Sequence, residues 1–151
     1  MKGLQMDQPI RERSEVEGAA EVQQDHQQRH SKIRDGVALD IEVALTDARF
    51  ALPQLGAAIN RWMNHQGFWT SSNFGEKIAL VHSELSEALE ANRKSLMSDH
   101  CPELTGEAEE LADAVIRILD LAAQRDINLV EAIAVKMEYN LTRPYKHGKA
   151  Y

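Results

Sequence analysis

Four acidic residues in two spaced pairs carry the chemistry of this sequence: Glu84 with Glu87, and Glu110 with Asp113. Within each pair the spacing is i, i+3, so on a helix the two carboxylates stand one turn apart on a shared face. Carboxylate oxygens are hard ligands. Two such pairs on neighbouring helices supply the donors that Mg²⁺ prefers, an octahedral oxygen set in which some waters are kept. A single E-x-x-E or E-x-x-D pair is more often a solvated helix face, so the surroundings of each pair decide its meaning.

At about 100° per residue, a helix over 73–93 gathers Ile78, Val81, Leu85, Ala88 and Leu89 into one apolar stripe. Ser83, Ser86 and Glu90 turn to the far side. Glu84 and Glu87 fall on the flank of the stripe, bracketed by Leu80 and Ala91, where a half-buried carboxylate needs compensation. The second pair differs. On a helix over 103–124 the main stripe is Leu111, Val115, Ile118, Leu119 and Ala122, and Glu110 and Asp113 lie roughly opposite. Periodicity predicts that pair to be exposed unless another helix or subunit covers it.

The elements that must position these pairs are all helical. Residues 1–36 are rich in Gln (Gln5, Gln8, Gln23, Gln24, Gln27, Gln28) and in charges of both signs, and are expected to form a mobile or marginally helical extension. The folded domain is expected over 37–151. Its predicted helices cover 37–51, ended or kinked by Pro53, then 54–65, 73–93, 103–124 and 128–142. Asn73 with Glu76, and Asn128 with Glu131, are N-cap pairs opening two of them, and Pro144 and Gly148 close the last. Strand-like alternation is absent. The fold class is all-α, a bundle of four to five helices with short connections.

Composition narrows the partners. The net charge of −7 argues against nucleic acid and against anionic membrane. A nucleotide stays open, because a metal and a few local cations can neutralise its phosphates. Cys101 is the only cysteine, which rules out an intrachain disulfide and a cysteine-based zinc cage and suits a reducing compartment. With no secretory pattern at the start and no apolar run of membrane-spanning length, a cytoplasmic location is expected.

Several other residues have two readings. Lys136, Asn140 and Arg143 share one face of the last helix, away from Val130, Ile133, Met137 and Leu141; by themselves they are a solvated polar face. Trp62 has helical spacing and suits a core plug, whereas Trp69 sits in the loop 67–72 and suits it less. His82 reads as a surface histidine, and His100 and His147 as loop residues without ligand partners. Arg93 and Lys94 most simply satisfy a helix carboxyl terminus.

Three blocks in order, EKIALVHSELSEALEANRK, EELADAVIRILDLAAQRDI and VEAIAVKMEYNLTRPYKHGK, resemble the MazG-like all-α nucleoside triphosphate pyrophosphohydrolase superfamily. Its signature is E-x-x-E, a spacer, then E-x-x-D; here Glu84–Glu87 and Glu110–Asp113 are separated by 22 residues (88–109). The resemblance spans roughly 54–149 and leaves the Gln-rich extension outside. It implies that all four acids hold Mg²⁺ (or Mn²⁺), and that a (deoxy)nucleoside triphosphate is hydrolysed between its α and β phosphates. It implies Glu84 or Glu87 as acceptor of the water's proton, Lys136 on the phosphates, Asn140 on the nucleotide and Trp69 against the base. Arg143, Tyr145 and Lys146 are further contacts, and Asn64 and His65 pocket residues. Family members are dimers or tetramers with sites at or near subunit interfaces, so a homo-oligomer is expected. A dUTP-specific enzyme and a phosphoribosyl-ATP pyrophosphohydrolase are alternatives within the superfamily. Outside it stand a di-iron carboxylate bundle, whose Glu-x-x-His pairs these helices lack, and a non-enzymatic helical interaction module with the acids exposed.

Overall fold

The structure is a computed structural model that describes residues 10–70 and 73–144; for residues 10–23, 26, 27 and 30 it describes the backbone alone. The described residues form four helices: α1 (Ile10–His65), α2 (Phe74–Lys94), α3 (Gly106–Gln124) and α4 (Leu129–Thr142). Among the described residues there is no strand, only an isolated antiparallel bridge between Met97 and Thr105. Among the described residues no helix is long and apolar enough to cross a membrane. The chain divides into two compact units, of which Ala44–Asn140 holds the four acidic residues.

Where two helices are expected around Pro53, there is one. α1 runs through the proline, and it begins at Ile10, well inside the stretch expected to be an extension. Proline removes one amide donor and leaves the carbonyl four residues back, that of Arg49, without its helical partner. Arg49 and Pro53 are both exposed, so water can take that place. The less exposed residues Leu45, Ala48, Leu52, Gly56, Ile59 and Met63 form one row across the proline, which keeps both halves in a single register.

The caps follow their side chains. Asn73 Oδ1 accepts the Glu76 amide at 3.0 Å, and Asn128 Oδ1 accepts that of Glu131 at 3.3 Å. α3 starts later than predicted because Thr105, not the preceding acidic stretch, is its cap, accepting from the Ala108 amide at 3.2 Å. Before it, the buried Ser98 hydroxyl accepts the amides of His100 and Cys101 and holds the segment in a turn.

α2 and α3 form an antiparallel hairpin. Its closed end is fixed by the Gly106 amide on the Leu96 carbonyl at 2.9 Å and by Asn92 Nδ2 donating to Glu107 at 2.7 Å. The backbones are close enough there that a Cβ on Gly106 would stand 3.0 Å from that of Ala91. The buried row on α2 is Val81, Glu84, Ala88 and Ala91, and on α3 Gly106, Ala114 and Leu121 are buried. This corrects the periodicity reading in part. Val81, Ala88, Leu119 and Ala122 are buried as expected, but Leu85, Leu89, Leu111, Val115 and Ile118, expected in the same stripes, are exposed. Small side chains at the seam let the helices approach there, which turns the bulkier aliphatic row outward.

Candidate metal centre

The seam carries charge in its middle. Glu84 is buried, with its side chain only 8% accessible. One carboxylate oxygen from each of Glu84, Glu87 and Glu110 lies within 4.8 Å of the others. Periodicity left Glu110 and Asp113 outward-facing unless another helix covered them, and α2 does: both are partly buried, facing it. Helix α3 presents Glu110, Asp113, Arg117 and Asp120 at steps of three, four and three residues, so a charged row, not its aliphatic row, meets Glu84.

Like charges at this range cannot all remain ionised. Burial, a hydrogen bond to Glu84 and the negative charges of Glu87, Glu84 and Glu109 push the Glu110 carboxyl up to about 7. Asp113 is raised as well, by burial first and then by Glu84 and Glu109, against the opposing pull of Arg117 and His100. Arg117 Nη2 stands 2.6 Å from Glu84 Oε1 and compensates the buried charge. Glu87 is exposed and accepts a hydrogen bond from the Ser83 hydroxyl at 2.8 Å. Three hard oxygen donors, one of them buried, from two packed helices suit a divalent cation such as Mg²⁺. Asp113 stands one turn further along α3 and lines an adjoining pocket.

That pocket, about 160 Å³, is walled by Met63, Phe68, Leu80 and Ile116 and reached by Lys77, Asp113, Arg117 and Asp120. Asp120 is buried and ties three segments together. Its carboxylate accepts Asn60 Nδ2 at 2.8 Å and the Trp69 indole N–H at 3.0 Å. Asn64 extends the network to Asn60 and Gln124. Lys77 donates to the Phe68 carbonyl at 2.8 Å and lies 4.4 Å from the Trp69 ring. Trp69 is thus anchored beside the pocket with Lys77 over its ring, while Trp62 is exposed and next to His65.

The remaining residues from the sequence are not gathered here. Lys136 is exposed, with its ammonium 4.7 Å from the Tyr139 ring, beside a shallow apolar pocket on α4. No hydrogen bond or ion pair among the described residues links Lys136 or Asn140 to the carboxylates. Arg143 belongs to the other unit, and Tyr145, Lys146 and His147 lie outside the described residues. His82 is exposed as expected. His100, expected without a partner, has its Nδ1 3.3 Å from Glu109. Arg117, Asp120, Lys77 and Asn60 were not singled out from sequence; the signal for the first two is their heptad continuation of Glu110 and Asp113.

Compared with family models, with curated proteins and with solved structures, the chain matches none.

Proposed function

We propose that the protein is a divalent-metal-dependent nucleoside triphosphate pyrophosphohydrolase of the MazG-like kind, releasing pyrophosphate and a nucleoside monophosphate. The observation that carries this is the burial of Glu84 within 4.8 Å of two further carboxylates. Collecting acids at a helix seam costs stability unless a cation is to be held there. Glu84, Glu87 and Glu110, joined by Asp113, would hold Mg²⁺ or Mn²⁺. The bound cation would offset phosphate charge and polarise the group under attack. Because Arg117 occupies an oxygen of Glu84, the exposed Glu87 is the better placed of the two candidates to accept the water's proton. Trp69 offers an aromatic surface to the base. The substrate is a deoxynucleotide such as dCTP or dATP, or one with a damaged base, consistent with cytoplasmic nucleotide-pool housecleaning.

Homo-oligomerisation belongs to the same proposal. Leu85, Leu89, Leu111, Val115 and Ile118 leave an apolar row exposed on the hairpin, and a second copy of this chain in a homodimer or homotetramer would cover it. An adjacent copy could also bring Lys136 and Asn140 to the phosphates.

The test is pyrophosphate release with Mg²⁺ across ordinary and modified nucleoside triphosphates. Release from at least one of them is expected, and its absence from every one removes the proposal. The Glu84–Arg117 pair also suits a non-enzymatic interaction module in which the seam is structural. Calorimetry that detects neither Mg²⁺ nor nucleotide binding would favour that second reading.

A further inference from the structure

Arg117 contacts Glu84 in an unfinished way. A guanidinium usually meets a carboxylate through two parallel N–H bonds. Here the contact is Nη2 to Oε1 at 2.6 Å, and Nε is enclosed with no hydrogen-bond partner. Exposure is also unequal across the pair. The Glu84 side chain is 8% accessible, whereas that of Arg117 is 33% accessible and borders open space. Its opening is the pocket of about 160 Å³ beside the carboxylates, where Lys77 approaches from α2. Asp120 in that pocket already accepts from Trp69 and Asn60, so it has less capacity to capture a second cation. A carboxylate held by a guanidinium is a poorer ligand for a divalent cation, and the two positive charges repel at this range.

We propose that Arg117 is an exchangeable counter-cation: it neutralises Glu84 while no divalent cation is bound, and turns to an anionic phosphate oxygen in the adjoining pocket when one is. The cations facing the phosphates would then be Arg117 and Lys77 of the chain that holds the metal. The phosphate contact rests on the pyrophosphohydrolase reading above; the exchange at Glu84 does not.

Two variants of the full chain separate these parts, Arg117→Met, which keeps length and loses charge, and Arg117→Lys, which keeps the charge. The probes are Mn²⁺ alone, then inorganic triphosphate at saturating Mn²⁺, both by calorimetry. Without its competitor, Glu84 in Arg117→Met should bind Mn²⁺ at least about threefold more tightly, while triphosphate binds about tenfold more weakly. Arg117→Lys should retain near-parental Mn²⁺ affinity and an intermediate triphosphate affinity. Equal or weaker Mn²⁺ binding by Arg117→Met overturns the exchange and leaves Arg117 as a support for Glu84. Unchanged triphosphate binding overturns the phosphate contact. Should Arg117→Met fail to fold, the parental chain provides the measurement: its Arg117 Nε–H resonance, identified by its loss in Arg117→Lys, must shift on adding Mg²⁺, and a stationary signal overturns the exchange. Failure of every nucleotide to be hydrolysed would sink the proposed activity while leaving the Mn²⁺ result to stand or fall separately.

Discussion

The α2–α3 seam and helix α4 both carry polar residues at one-turn spacing, yet their environments differ. In the seam, Glu84 is buried, Arg117 stands 2.6 Å from it, and burial with neighbouring charge lifts Glu110 to about 7. On α4, Lys136 is exposed and rests against Tyr139 of its own helix. Spacing alone rates the two faces alike. Packing distinguishes them: the acidic side of the proposed site is assembled within one chain, and α4's cationic side is not. Under the proposed function, the phosphates would be met either by residues of the seam itself or by α4 of another copy.

The largest effect should come from the acidic side. Glu87→Gln removes a charge from an exposed position and changes no packing, so the fold should persist while Mg²⁺-dependent pyrophosphate release falls about a hundredfold or more. Circular dichroism and a release assay check both halves, and full activity in that variant would dissolve the distinction between the two regions. A mixing experiment then asks which copy supplies α4. If Lys136 acts across an interface, Lys136→Met and Glu87→Gln chains are each impaired, yet their mixture should recover about a quarter of the parental sites in a dimer. Lys136→Met chains that are alone as active as the parent leave nothing to recover, and that outcome assigns the phosphate contacts to Arg117 and Lys77 instead.

Much of the backbone was legible because its signals are local. Asn73 and Asn128 act as helix caps where expected, and α2 and α4 begin within a residue of their predicted starts. Pro53 misled because a proline's cost is set by whether the orphaned carbonyl can be hydrated, which depends on exposure. At the site, the flank position of Glu84 was readable from the stripe beside it. The inward position of Glu110 was not, because periodicity assigns a helix's core face to its largest aliphatics, and in α3 the close packing of Gly106 and Ala114 against Ala88 and Ala91 of α2 claims another face. Only the resemblance indicated that face. Arg117 and Asp120 are not legible in the sequence because a charged row looks solvated until a partner acid is placed opposite it.

The two regions should also differ in their response to pH. Between its ordinary 4.5 and about 7, Glu110 in the folded, metal-free chain holds a proton that the unfolded chain has lost. Metal-free stability should therefore decline as pH rises through that window and level off above it. The raised Asp113 acts in the same direction. A divalent cation needs these carboxyls deprotonated, so Mn²⁺ affinity should climb across the same window, by at most about tenfold per pH unit for each proton displaced. Calorimetry in buffers of different ionisation enthalpy counts the released protons. An affinity flat across the window would show that Glu110 is not among the ligands.

The smallest effect tests whether close packing is what holds the acids together. Gly106 is the first residue of α3, and a methyl group there would meet the Ala91 Cβ at 3.0 Å, tighter than side chains normally approach. Ala91 is itself a methyl on a helix backbone, so it cannot swing aside, and the strand of contacts at the closed end of the hairpin must part by a few tenths of an ångström. Gly106→Ala should cost about 1–3 kcal/mol by the usual penalty for overpacking, read from urea denaturation. Part of that is offset by alanine's lower backbone entropy. Because Glu110 lies one turn beyond Gly106, the same displacement should move it relative to Glu84 and weaken Mn²⁺ binding a few-fold. A variant that loses stability with Mn²⁺ affinity intact would mean that the carboxylates are positioned by the Glu84–Arg117 contact, independently of the hairpin's closed end.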